Sequence, residues 1–148
     1  MAKCYCTRVW GSHDSAECQG LPNGAARAPA EHYEFLQRFR KVNVARAEKW
    51  HESDNGMRGW SPAEWSNALA GEVGELCNIT KKILRADHGL DQSNPVPRGT
   101  LMYQAADEIA DVAIYLDLVA ARLGFDLQEC ITRKFNRTSE KMGFEEKL

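Results

Sequence analysis

Residues 109–124 read IADVAIYLDLVAARLG, and their spacing decides the fold. Ile109, Val112, Leu116, Val119 and Leu123 step by three, four, three and four, the period of a helix with one apolar seam. Gly124 stands where a left-handed C-terminal cap is expected. Just beyond it, Asp126 and Glu129 open a further helix that runs to about Met142 and closes at Gly143. Upstream, Ser61, Pro62 and Glu64 form a capping box with proline at the first helical position. From that start Trp65, Leu69, Val73, Leu76, Ile79 and Ile83 keep helical spacing to about Arg85.

A first helix over roughly 31–50 is marked by Phe35, Leu36, Phe39, Val42 and Trp50. Ser53, Asp54, Asn55, Gly56 and Gly59 then supply turn chemistry, and Gly89, Pro95, Pro97 and Gly99 punctuate a second connection. No segment alternates with the period of a strand. The fold class expected is all-α, a four-helix bundle.

Residues 1–30 read differently. Three of the five cysteines, Cys4, Cys6 and Cys18, fall there among prolines and glycines without a helical period, which suggests a loose arm ahead of one domain over 31–148. Cys4, Cys6, His13 and Cys18 do not have the spacing of a zinc finger, so the arm is read as unliganded. Cys77 and Cys130, inside helices, are read as small buried apolar groups, and His51 and His88, in loops, are assigned no role.

A length of 148 residues fits one such domain, with 43% hydrophobic and 27% charged residues. A net charge of −2 gives no reason to expect nucleic acid as a partner. The most apolar stretch, Ile109 to Phe125, is broken by Asp111, Asp117 and Arg122, so no membrane span is expected. Scattered cysteines in odd number and no secretory leader point to a reducing, cytoplasmic setting.

Two acid pairs sit where apolar seams begin to be buried. Glu72 and Glu75 lie three apart on the second helix, and Glu108 and Asp111 three apart on the third, so each pair shares a face. If the two helices pack as antiparallel neighbours, four carboxylates converge. Such a group needs cations, and oxygen-only ligands select hard ions such as Mg²⁺. The chain lacks the pair of Glu-x-x-His motifs that a di-iron bundle requires. The competing account is that these acids are solvated and salt-bridged to lysines. Gly71 and Gly74 weaken the second helix beside them, at about 1 kcal/mol each against Ala; close packing or room for a ligand accounts for that.

The run Ala68 to Leu76 (ALAGEVGEL) followed by Asp107 to Val112 (DEIADV) resembles the MazG-like nucleotide pyrophosphohydrolases, whose pattern is E-x-x-E on one helix and E-x-x-D on the next. The resemblance continues through Tyr115 and Leu116, the corner Leu123 to Leu127 and the run Lys134 to Arg137, covering roughly 40–144. It implies an all-α homodimer, or dimer of dimers, that hydrolyses a nucleoside triphosphate to monophosphate and pyrophosphate. Glu72, Glu75, Glu108 and Asp111 would hold Mg²⁺, with Mn²⁺ able to substitute, and Glu75 is the expected catalytic base. Substrate contacts are expected from Trp50 at the base pocket and from Lys82, Tyr115, Lys134, Asn136 and Arg137.

Relatives often carry a further Asn where this chain has Thr138, which leaves sugar recognition open. The tail Lys134 to Lys141 resembles versions frequent in phages and their hosts, and the substrate expected is a purine deoxynucleotide, dGTP or dATP. The alternatives within the superfamily are dUTP or dCTP hydrolysis and phosphoribosyl-ATP hydrolysis. A non-catalytic helical interaction module is the alternative of another class, and its mark, a missing carboxylate, is absent here.

Overall fold

The computed structural model describes residues 29–90 and 96–148, with side chains from Phe35 onward. The expectations placed on residues 1–28, including the cysteine-rich arm, lie outside the described residues. Four helices follow in order: α1 Pro29–Trp50, α2 Pro62–Asp87, α3 Arg98–Arg122 and α4 Leu127–Met142. The described residues contain no strand. No helix among them is long and apolar enough to cross a membrane.

The helix ends follow from local chemistry. Ser61 accepts from the Glu64 amide at 3.3 Å while the Glu64 carboxylate accepts from the Ser61 amide at 2.7 Å, so two otherwise orphaned donors are satisfied. The Asp126 carboxylate caps α4 by accepting from the Glu129 amide at 3.0 Å. Gly124 and Gly143 leave α3 and α4 at φ 78° and 71°, a conformation that costs glycine little.

Between α1 and α2, two short 3-10 turns, Glu52–Asp54 and Gly56–Arg58, reverse the chain through the left-handed pair Asn55 and Gly56. Glu48 reaches over this turn to accept from the Met57 amide at 3.0 Å, and its carboxylate occupies the space a Gly56 Cβ would need. Glu48 and His51 are the chain's one Glu-x-x-His spacing, and both are structural. The His51 ring stands edge-on to Trp60 and Trp65, at 4.7 and 5.2 Å between centroids.

Trp65, 1% exposed, is the centre of the core, packed with Ala47, Met57 and Leu118. Its indole N–H donates to the Met57 carbonyl at 3.1 Å, so the ring is buried without an orphaned donor. Truncating such a residue to Ala costs about 3–5 kcal/mol. On α3 the structure corrects the expected seam. Leu101, Ala105, Leu118 and Ala120 are the buried apolar residues, together with the charged Asp117. Ile109, Leu116 and Leu123 are exposed, forming a stripe at seven-residue steps that this chain leaves open. Cys77 is likewise exposed and Cys130 half-buried, so neither is the core residue expected.

The buried charge has its partners. Asp117 accepts from Arg40 Nε at 2.6 Å and from Asn43 Nδ2 at 3.0 Å. The Asn43 amide also donates to the Ile114 carbonyl at 3.0 Å. These bonds fix the face of α1 that carries Asn43, Arg46 and Ala47 against the middle of α3.

Candidate metal centre

The acid pairs meet because α2 and α3 form an antiparallel hairpin. Trp65 lies with Leu118 in the core, Asp87 holds Arg98 at 2.7 Å, and each step forward along α2 is a step back along α3. In that register Glu72 faces Asp111 and Glu75 faces Glu108. Glu72, Glu108 and Asp111 each offer a carboxylate oxygen, all within 4.8 Å of one another. Glu75 is exposed and stands outside this group of three, yet its charge acts on both Glu72 and Glu108.

The charges give the group its chemistry. Partial burial, then the charges of Asp111, Glu75 and Glu108, raise the Glu72 pKa above the ordinary carboxylate value. Glu108 is raised for the same reasons, with Glu75 and Asp111 as the main charges. Among the described residues, the charges that shift these two carboxylates are all negative, which disfavours the salt-bridged account. Three convergent oxygens lacking a cation fit a hard divalent ion. They offer no nitrogen or sulfur donor that would favour zinc.

Gly71 and Gly74 border this face, and a Cβ at either would meet nothing within 4 Å. Close packing against the described residues therefore does not explain them, and the space beside the carboxylates is open among those residues. Tyr115, one turn beyond Asp111, forms the far wall. Its ring lies 6.3 Å from that of Trp65. Burial and the charges of Glu72 and Asp111 raise the phenol pKa, so the hydroxyl stays a donor at neutral pH. The Arg46 charge opposes that shift, which brings an α1 cation to the rim of the site. Arg46 carries no distinctive local motif; only its spacing of three from Asn43, itself fixed to α3, could have singled it out.

The remaining expected contacts fall elsewhere. Trp50 is 81% exposed at the end of α1, a free aromatic face rather than a core residue. Lys82 is half-buried on α2, two turns past Glu75 and so about 10 Å further along the axis. On α4, Lys134 lines an open apolar groove with Ile131, Phe135 and Phe144, and Arg137 is exposed. The Asn136 side chain is engaged by the chain's last residues, accepting from the Leu148 amide at 2.8 Å and donating to its carbonyl at 3.0 Å. None of the charges felt at Glu72, Glu108 or Tyr115 comes from α4.

Residues 100–148 match the model of the MazG-like family. The matched segment holds Glu108, Asp111 and Tyr115 and all of α4, and it supports the resemblance drawn from the residues themselves. No curated protein and no solved structure matches the chain.

Proposed function

We propose that this chain, MazG-like over residues 100–148, is a Mg²⁺-dependent nucleoside triphosphate pyrophosphohydrolase that converts a deoxynucleoside triphosphate and water to the monophosphate and pyrophosphate. The observation that carries the reading is the convergence of Glu72, Glu108 and Asp111 on one open face, with the Glu72 and Glu108 pKa values raised and no salt-bridging cation among the described residues. These three would hold Mg²⁺. When bound, the ion neutralises phosphate charge, stabilises charge developing at the transition state and acidifies water. Mn²⁺ has the same preference for oxygen and substitutes for it.

Glu75 stands beside this group without belonging to the three, so its carboxylate remains free to take a proton from the attacking water. The protonated Tyr115 hydroxyl donates to a phosphate oxygen. Trp50 offers an exposed ring for stacking on the base. Lys82, Lys134, Asn136 and Arg137 supply further phosphate or sugar contacts. The preferred substrates are the purine deoxynucleotides dGTP and dATP, and the chain is of the phage or bacterial type.

The working unit is a homodimer or a dimer of dimers, a reading supported by the open α3 stripe of Ile109, Leu116 and Leu123. Contacts from Lys134, Asn136 and Arg137 require a second copy to bring its α4 to the hairpin, since none of the charges felt at Glu72, Glu108 or Tyr115 comes from this chain's α4. Incubation with Mg²⁺ and each of the eight common NTPs and dNTPs, with separation of nucleotide and phosphate products, tests the function. Loss of dGTP and dATP to monophosphate and pyrophosphate is the expected result. Survival of all eight overturns it.

A further inference from the structure

Arg46 stands at the rim of the acidic site, where its charge is felt at Tyr115. It is an exposed guanidinium on α1, outside the matched segment and without a carboxylate partner among the described residues. Its place is set by the backbone of two helices. Asn43, 3% exposed, donates to the Ile114 carbonyl and to Asp117, which pins that turn of α1 to α3 immediately before Tyr115. Arg46 lies three residues on, along the same face of α1, and its Nη2 donates to the Asn43 side-chain oxygen at 3.4 Å. On α3, Asp111 lies one turn before Tyr115 on the same face. Because α1 runs antiparallel to α3 here, from Gln37 at Asp126 through Arg40 at Asp117 to Asn43 at Ile114, Arg46 falls towards the level of Asp111, and its charge is felt at the Tyr115 hydroxyl.

We propose that Arg46 is a substrate-binding residue that grips the phosphate chain on the Tyr115 side of the acidic site, a role that rests on the pyrophosphohydrolase reading. A cation placed among Glu72, Glu108 and Asp111 would pair with them and compete with the metal. Arg46 acts on Tyr115 but is not among the charges felt at Glu72 or Glu108, so it leaves the metal ligands free. A triphosphate carries more negative charge than one divalent ion neutralises, and a planar guanidinium binds a phosphate through two parallel N–H donors. Asn43 supplies an oxygen that orients the guanidinium before substrate arrives, and it is held by its own bonds to α3.

The test compares wild type with Arg46→Gln and Arg46→Lys, each checked by thermal melting. Steady-state hydrolysis of dGTP is measured alongside calorimetric titration with inorganic tripolyphosphate in Mg²⁺. For Arg46→Gln the expected result is KM raised about tenfold or more, kcat within about threefold, and tripolyphosphate binding weakened in parallel. Arg46→Lys, which keeps the charge without the fork, loses less. An active wild type with an unchanged KM in Arg46→Gln overturns the role of Arg46 alone. A wild type that hydrolyses no nucleotide overturns the pyrophosphohydrolase reading. Arg46 is then judged by tripolyphosphate alone, and equal or absent binding in both proteins overturns its role too.

Discussion

Arg40 Nε donates to Asp117 at 2.6 Å across 77 residues of sequence, and this pair joins α1 to α3. Asp117 is 2% exposed, so its charge depends on Arg40 and Asn43 for compensation. The α3 carboxylates of the candidate metal site, Glu108 and Asp111, lie about two turns earlier on the same helix, which makes this joint the support that holds α1 beside them.

Removing one member of the pair should be severe. Arg40→Met keeps much of the side-chain volume but leaves a buried carboxylate without its cation, at a cost of about 3–5 kcal/mol. Urea unfolding measures it. The double variant Arg40→Met, Asp117→Leu should recover most of the loss, because Asn43 retains its bond to the Ile114 carbonyl. A double variant no better than the single one would mean that the pair contributes through shape rather than charge.

Gly71 and Gly74 make an opposite prediction. Glycine inside a helix costs roughly 0.5–1 kcal/mol relative to Ala, and no atom stands where either Cβ would go. Gly71→Ala and Gly74→Ala should each raise stability by about that amount while raising KM, because the substrate needs the open space. Thermal melts and steady-state kinetics read the two effects. A loss of stability would show that a second copy packs against these glycines instead.

The carboxylates predict a pH dependence whose sign follows from their shifts. Glu72 and Glu108 have pKa values raised above 4.5 in the folded chain, so near that pH the folded state holds more protons than the unfolded one. Without metal, their contribution to stability falls as pH rises from about 4.5 through the raised values, and returns on acidification. Asp126 works in the other direction. Its pKa is lowered, chiefly by the Glu129 amide and then by Gln37, so its contribution is full above 3.8 and is lost as pH falls through the folded value. At neutral pH, Glu108→Gln should therefore melt higher than wild type in the absence of metal. Millimolar Mg²⁺ should raise the melting temperature of wild type more than that of the variant.

The parts of this molecule that were legible in its sequence are those governed by neighbours along the chain. Ser61 with Glu64, Asp126 with Glu129, Gly124 and Gly143 announced helix ends, because caps act within one turn. The acid pairs were legible as pairs, since residues three apart share a face. Which face of α3 is buried was not. Ile109, Val112, Leu116 and Leu118 spread apolar surface around much of the helix, and periodicity does not say which part meets its own chain. The partners of Asp117 were also hidden, because Arg40 and Asn43 come from another helix with no local signature. Arg46 stayed hidden for the same reason.

The claim tested most directly is that Glu72, Glu108 and Asp111 form one divalent-metal site. Mn²⁺ titration followed by electron paramagnetic resonance, on wild type and on Asp111→Asn, measures it without requiring turnover. The expected result is saturable Mn²⁺ binding to wild type, displaced by Mg²⁺, and loss of that binding in a variant that still melts cooperatively. Equal Mn²⁺ binding by both proteins, or none by wild type, would contradict the account.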